Sequence, residues 1–131
     1  MIRLAGCVIT DDSNKIGLLH RNTTGSKQWE LPGGKIEANE SEEAAATREL
    51  EEELGIVVEI ISKLDSVNFS DETRDYQYTW FRARVVDGTP EIHEPQTFDK
   101  FDYFSTDQME RLNLSANMRV MFEKLKNGMD Y

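Results

Sequence analysis

The sequence predicts an α/β (α+β) fold in which a mixed β-sheet lies sandwiched between helices. Three features predict it: five stretches with β-type patterning, one capped run of strong helix formers in mid-chain, and a closing amphipathic helix. At 131 residues, with no Pro/Gly/Ser-rich linker, repeat or low-complexity tract, the chain reads as one domain over 1–131.

Residues 4–9 form an apolar first strand. A turn at Asp11-Asp12-Ser13-Asn14 leads into a second strand over 16–20, which makes a hairpin. Residues 21–27 read as a polar loop carrying Gly25, and Trp29 to Leu31 as a short extended segment entering the turn at Pro32-Gly33-Gly34. Ser41 is suited to cap a helix. Ala44 departs from the capping-box pattern, but Glu42 and Glu43 favour the positive helix N-terminus. Residues 44–54 are rich in helix formers, and Gly55 supplies the stop. Two long β-type runs follow at 56–64 and 75–86, the second alternating through Tyr76, Tyr78 and Trp80. A short strand at 101–104 and a short helix from Thr106 come next. Ser115 then caps a final helix with Met118, Met121, Phe122 and Leu125 on one face.

Composition narrows the function classes. With 38% hydrophobic and 9% aromatic residues the chain can bury a core despite 31% charged residues, so disorder is not expected. The apolar start is too short to span a bilayer and lacks a small-residue cleavage site, so no targeting segment or membrane association is expected. Cys7, the single cysteine, excludes an internal disulfide framework and reads as a packed thiol, which suits a reducing cytoplasm. A net charge of −10 repels polyphosphate backbones, so a nucleic-acid polymer is not an expected partner. An acidic protein can still handle a small anionic substrate if divalent cations stand between the two. His20 and His93 lack partners at zinc-ligand spacing, and Gly33-Gly34-Lys35 lacks the rest of a P-loop.

The informative stretch is Arg48-Glu49-Leu50-Glu51-Glu52-Glu53-Leu54-Gly55-Ile56. On a helix Glu49, Glu52 and Glu53 converge on one face, whereas Ala46, Leu50 and Leu54 point to the neighbouring face and can anchor it. Glu51 points elsewhere. Like-charge neighbours destabilise a helix by a few tenths of a kcal/mol each, roughly, and a hard divalent cation offsets that cost. Acid runs on helices are ordinarily solvated faces, so the surroundings have to decide.

Those surroundings are Gly34, Glu40 after five residues, Arg48-Glu49-Leu50 after seven more, then Glu52-Glu53 and Gly55-Ile56. The pattern over 34–56 resembles the Nudix box at every specified position. The resemblance to the MutT-like branch of that family extends outward. Trp29-Glu30-Leu31-Pro32-Gly33-Gly34-Lys35-Ile36-Glu37 looks like its approach to the box, Gly88-Thr89-Pro90-Glu91-Ile92-His93-Glu94 like its loop with a further catalytic glutamate. Ser115-Ala116-Asn117 falls where the branch places a base-reading asparagine.

The resemblance implies a Nudix-type α/β/α sandwich and a Mg²⁺-dependent pyrophosphohydrolase, with Mn²⁺ as a substitute. Glu49, Glu52 and Glu53 would be metal ligands, with the Gly34 carbonyl and Glu94 assisting, and Glu40 and Arg48 would brace loop against helix. Cations held there neutralise the phosphate oxygens and acidify bound water, and a carboxylate takes the water's proton. Glu53 and Glu94 are the candidates for that base, with Glu52 also in the catalytic set. Lys35 and Arg21 are candidates to reach phosphate, though Arg21 could instead close a salt bridge. Asn117 suits a base edge. Leu4, Gly6, Val8, Leu31, Phe69, Tyr78 and Trp80 are candidate pocket walls, with core packing as the competing role for each.

The expected partner is a small-molecule nucleotide: an NTP or dNTP, including oxidised dGTP or a CTP-like pyrimidine, cut to NMP and pyrophosphate. A nucleotide sugar, ADP-ribose, a dinucleoside polyphosphate, or a silent nucleotide-binding module are the alternatives. A monomer and a homodimer are both compatible with the sequence.

Overall fold

The computed structural model describes residues 1–131. Its elements are β1 (Ile2–Val8), β2 (Ile16–Thr23), β3 (Ser26–Glu30), β4 (Gly33–Lys35), α1 (Glu42–Leu54), β5 (Val57–Ser70), β6 (Asp75–Asp87), β7 (Phe98–Phe104), α2 (Thr106–Met109) and α3 (Ala116–Lys126). The strands form two sheets, one ordered β4-β1-β6-β5 and the other β3-β2-β7. The first sheet is mixed, since β1 runs parallel to β6 and antiparallel to β4.

Alternation along the central strands builds the sandwich. Ala5, Cys7 and Ile9 from the β1 region, with Phe81 and Ala83 from β6, pack in one core with Ala45, Ala46, Leu50 and Leu54 of α1. The residues between them, Val8 of β1 with Tyr78 and Trp80 of β6, pack in a second core with Met118, Met121, Phe122 and Leu125 of α3. Period-2 strands with both faces covered explain why β1 reads as continuously apolar. Each fully buried Leu contributes on the order of 1.5–3 kcal/mol, which fixes the orientation of α1 on the sheet.

The caps of α1 match the sequence. Ser41 Oγ accepts the Ala44 N–H at 3.0 Å, and Gly55 ends the helix at φ 68° with its N–H on the Glu51 carbonyl. A helix of 13 residues begins at Glu42, two residues earlier than the run of helix formers suggests.

Three local expectations are corrected. β1 and β2 meet only at the mouth of their turn, through the Thr10–Ile16 bridge and the Gly17 N–H on the Ile9 carbonyl. Beyond it they enter different sheets, because both edges of β1 are already taken by β4 and β6. Residues 21–27 are not a loop: β2 continues to Thr23, turns over Thr24 and Gly25 (φ 81°), and pairs back with β3. β5 extends to Ser70 with three register shifts that let it follow β6. No helix is long and apolar enough to cross a membrane.

Candidate active site

Packing of α1 sets the acidic face against the β4 turn. Glu53, one turn beyond Glu49, is only 5% exposed, and its Oε1 accepts the Gly33 N–H at 2.9 Å. Gly33 and Gly34 pair with Gly6 and Ala5 of β1, and this register brings the turn onto the helix. A Cβ on Gly34 would stand 2.5 Å from the Glu49 carboxyl carbon, so glycine lets the strand pass directly under that carboxylate.

Burial disfavours the charged form of Glu53 and raises its pKa well above the usual carboxylate range. The neighbouring Glu49 and Glu94 charges add to the rise and the Gly33 N–H opposes it. Glu49 is also raised, mainly by burial, with Arg48 opposing. Burial pushes the Cys7 thiol up to about 12, with Glu53 adding to it, so this cysteine is inert.

Arg48 is the hub of the face. Its Nε donates to Glu40 at 2.7 Å, Nη2 to Glu40 at 3.0 Å and to the Lys35 carbonyl at 2.9 Å, and Nη1 to Glu49 at 3.0 Å and Glu52 at 3.2 Å. The planar fork thus ties the loop before α1 to the helix itself. The Glu40 carboxyl is held down to about 2 by Arg48 first, with the Glu37 N–H contributing.

The loop carrying Glu94 is docked on the C-terminus of α1. The Glu91 and His93 N–H groups donate to the Leu54 and Glu53 carbonyls, each at 3.0 Å, and the His93 ring lies against Gly55. Docking brings Glu94 close enough for its charge to raise both Glu49 and Glu53.

Glu49, Glu52, Glu53 and Glu94 thus gather at one end of α1, and the donors are hard oxygens of the type Mg²⁺ takes. They are not closed into a ready cage, since no three acidic or histidine side chains stand at metal-holding spacing. Arg48 engages Glu49 and Glu52, and Gly33 engages Glu53. The fit to a divalent cation rests on the chemistry of these donors and on Glu53, a buried carboxylate whose single hydrogen-bond partner leaves lone pairs free.

Beside the acidic face lies a cleft of about 360 Å³ lined by Leu4, Arg21, Glu30, Phe69, Tyr76 and Asn117, among others. Arg21 forks onto Glu30 (Nε–Oε2 2.5 Å, Nη2–Oε1 3.1 Å) with its guanidinium 5.1 Å from the Phe98 ring centre, so it closes the salt bridge. Phe69 and Tyr76 stack at 5.0 Å and 10°, forming the aromatic wall. Leu31 and Tyr78 are buried in the core on the α3 side rather than lining the cleft. The Tyr78 hydroxyl has no hydrogen-bond partner, and burial raises its pKa well above the ordinary phenol value. Lys35 is not in the cleft either: it is exposed and lines a separate hollow with Met1, Arg3 and Glu37. Tyr76 and Glu30 join the cleft although the sequence marks neither as a pocket residue. Alternation with Tyr78 could have placed Tyr76 on that face, whereas nothing local reports the Arg21–Glu30 pairing.

A two-sided sandwich presenting glutamates over a glycine turn defines a hydrolase of the Nudix class. The chain matches the NUDIX domain family over residues 2–125 and belongs to that family. Within it, the relatives are MutT-like. The 8-oxo-dGTP diphosphatase of Proteus vulgaris is 37% identical over 82 residues, covering 61% of this chain and 73% of that enzyme. The RNA pyrophosphohydrolase of Zymomonas mobilis is 30% identical over 103 residues, covering 67% of this chain and 66% of that enzyme. The chain spans only 28% of the length of two mycobacterial relatives that it matches. Among solved structures, the MutT NUDIX hydrolase from Burkholderia pseudomallei superposes with a TM-score of 0.84 at 29% identity, covering 95% of this chain and 97% of that one. The chain is therefore a Nudix pyrophosphohydrolase of the MutT-like kind.

Proposed function

We propose that this enzyme converts a nucleoside or deoxynucleoside triphosphate to the monophosphate and pyrophosphate, with oxidised dGTP or a CTP-like pyrimidine nucleotide as leading substrates. The observation that carries this reading is buried Glu53, its carboxylate set among Glu49, Glu94 and the Gly33 turn, beside a cleft with a Phe69–Tyr76 wall.

In this reading Glu49, Glu52 and Glu53, with the Gly34 carbonyl and Glu94 assisting, hold Mg²⁺, for which Mn²⁺ can substitute. The ion supplies neutralisation of the phosphate oxygens and a more acidic water. Arg48 and Glu40 keep the helix and the loop before it in one geometry. Water oxygen bonds to phosphorus, the anhydride P–O bond breaks, and the water's proton passes to Glu53 or Glu94. The net charge of −10 favours a small, cation-neutralised substrate over a polynucleotide. The same reading takes the enzyme to be cytoplasmic, as a monomer or a homodimer.

The test is a panel of NTPs, dNTPs, 8-oxo-dGTP, ADP-ribose, a nucleotide sugar, a dinucleoside polyphosphate and a 5′-triphosphorylated RNA, assayed with Mg²⁺ and with Mn²⁺. Monophosphate plus pyrophosphate from a free triphosphate is expected. Cleavage confined to the diphosphate-bridged compounds or the RNA, or no product with either metal, would sink the proposal.

A further inference from the structure

The first sheet is covered unevenly. One face is packed by α1 along Val58, Phe81 and Ala83. The other is packed by α3 around Val8, Tyr78 and Trp80, and Lys124 of α3 reaches Asp65 of β5 at 2.8 Å. Asp65 and Trp80 stand opposite each other in the β5–β6 register. Beyond them the same face continues toward Val57 and Asp87. Alternation from Tyr78 and Trp80 puts Arg82 and Arg84 on it, and Glu59 lies beside Arg84. The Arg84 and Glu59 side chains are 65% and 55% exposed, so this stretch is open to solvent.

The open end of the ribbon also collects exposed apolar side chains. Val57, Ile61 and Val86 all lie there, and Met1 is the one other large hydrophobic residue that is exposed. Ile61, 53% exposed, borders a hollow of about 370 Å³ together with Arg82 and Arg84. Single exposed apolar residues are ordinary, but a cluster beside two arginines in a chain of net charge −10 marks a contact surface. Bulges at Ile61 and Leu64 blunt the free edge of β5. A partner therefore meets the face of the ribbon and does not add a strand to it.

The charges on this face complement themselves. Arg84 Nη2 donates to Glu59 Oε2 at 3.0 Å, which leaves Glu59 Oε1 without a protein donor. Arg82 donates to the Thr10 hydroxyl at 3.1 Å and pairs with no carboxylate. A two-fold axis lets the free carboxylate oxygen of each copy meet the unpaired arginine of the other, twice per contact. Over the rest of the surface the surplus of acid makes two copies repel.

We propose that this face is a homodimer interface, in which Glu59 of one copy pairs with Arg82 of the other around Ile61 and its apolar neighbours. A two-stranded ribbon is at the low end of interface sizes, so the dimer is weak, with a Kd of about 1 µM or higher.

The test is sedimentation velocity of the full chain from about 1 µM to about 1 mM, over which the wild type should pass from monomer to dimer. Glu59→Arg and Arg82→Glu each set like charges against each other across the axis and should raise Kd about 100-fold or more. Mixed in equal amounts, the two variants present opposite charges at both contacts, and Kd should return to within about tenfold of wild type. Thermal melts establish that each variant is folded. If Arg82→Glu does not fold, Ile61→Arg decides, since it puts a charge on an exposed residue at the centre of the contact and should leave the protein monomeric throughout. Undiminished dimerisation in a folded single variant, or no association on mixing, overturns the inference. A wild type that stays monomeric overturns it too and leaves the face to a partner of other chemistry.

Discussion

Alanine placed at two adjacent glycines should give opposite phenotypes. Neither Gly33 nor Gly34 has a positive φ, so only the space for a Cβ matters. At Gly33 the new carbon would lie 2.4 Å from the Ala5 carbonyl oxygen, 2.6 Å from the Gly6 Cα and 2.5 Å from the Tyr78 hydroxyl. Contacts of this kind are comfortable at about 3.5 Å, so β4 and β1 must part by roughly 1 Å. Overpacking of a core costs about 1–3 kcal/mol, and two of the three obstacles are backbone, which argues for the upper end. For a domain of this size ~3 kcal/mol lowers Tm by about 10 °C.

At Gly34 the three nearest atoms all belong to the Glu49 carboxyl group, at 2.5, 2.6 and 2.6 Å. A flexible side chain can swing away, so Gly34→Ala should melt within about 3 °C of wild type, a cost under ~1 kcal/mol. It should nevertheless displace Glu49 and lower metal-dependent turnover by about 10–100-fold, the range seen when support of a metal ligand is lost. Thermal melts paired with pyrophosphate release over a Mg²⁺ titration check both. Equal loss of stability in the two variants would refute the steric reasoning. Full activity in Gly34→Ala would refute the role given to the Glu49 carboxylate.

Two further outcomes follow from the packing and charge around α1. Leu50 is fully buried between the helix and the sheet, and Leu50→Ala should cost about 2.7–5 kcal/mol by denaturant unfolding. Because the Glu40 carboxyl lies at about 2, below its usual 4.5, the stabilisation from its pairing with Arg48 is present above about pH 4.5 and lost as pH falls through about 2. An NMR titration of Glu40 should show this depressed value in the wild type and a return toward the ordinary range in Arg48→Ala.

Local features were legible in the sequence because their causes are local. Spacing alone puts Glu49, Glu52 and Glu53 on one face, Ser41 caps through its hydroxyl, and Gly55 ends the helix because the lack of a Cβ permits its left-handed backbone. The Gly34–Glu49 approach was legible only through the box pattern, since sequence spacing cannot show which strand passes beneath a helix. Long-range pairing escaped for the same reason. That β1 would give both edges to β4 and β6, sending β2 to a second sheet, is decided by partners tens of residues away. Side-chain partnership decided the remaining site residues. Arg21 is engaged by Glu30 nine residues on, and Lys35 lines another hollow with Met1 and Arg3, a neighbourhood that sequence spacing does not report. Glu94 reaches the site through two backbone N–H groups on the last carbonyls of α1, which no side-chain motif encodes.

The central claim, that the glutamates on one face of α1 perform the hydrolysis, is tested most directly with Glu53→Gln. The amide keeps the shape and can still accept the Gly33 N–H, while removing a charge that burial already disfavours. Pyrophosphate release from the preferred triphosphate should fall by about 10²–10⁴-fold, the range for losing a positioned acid–base group, with a melting temperature no lower than that of wild type. Wild-type turnover in a folded Glu53→Gln protein would contradict the account.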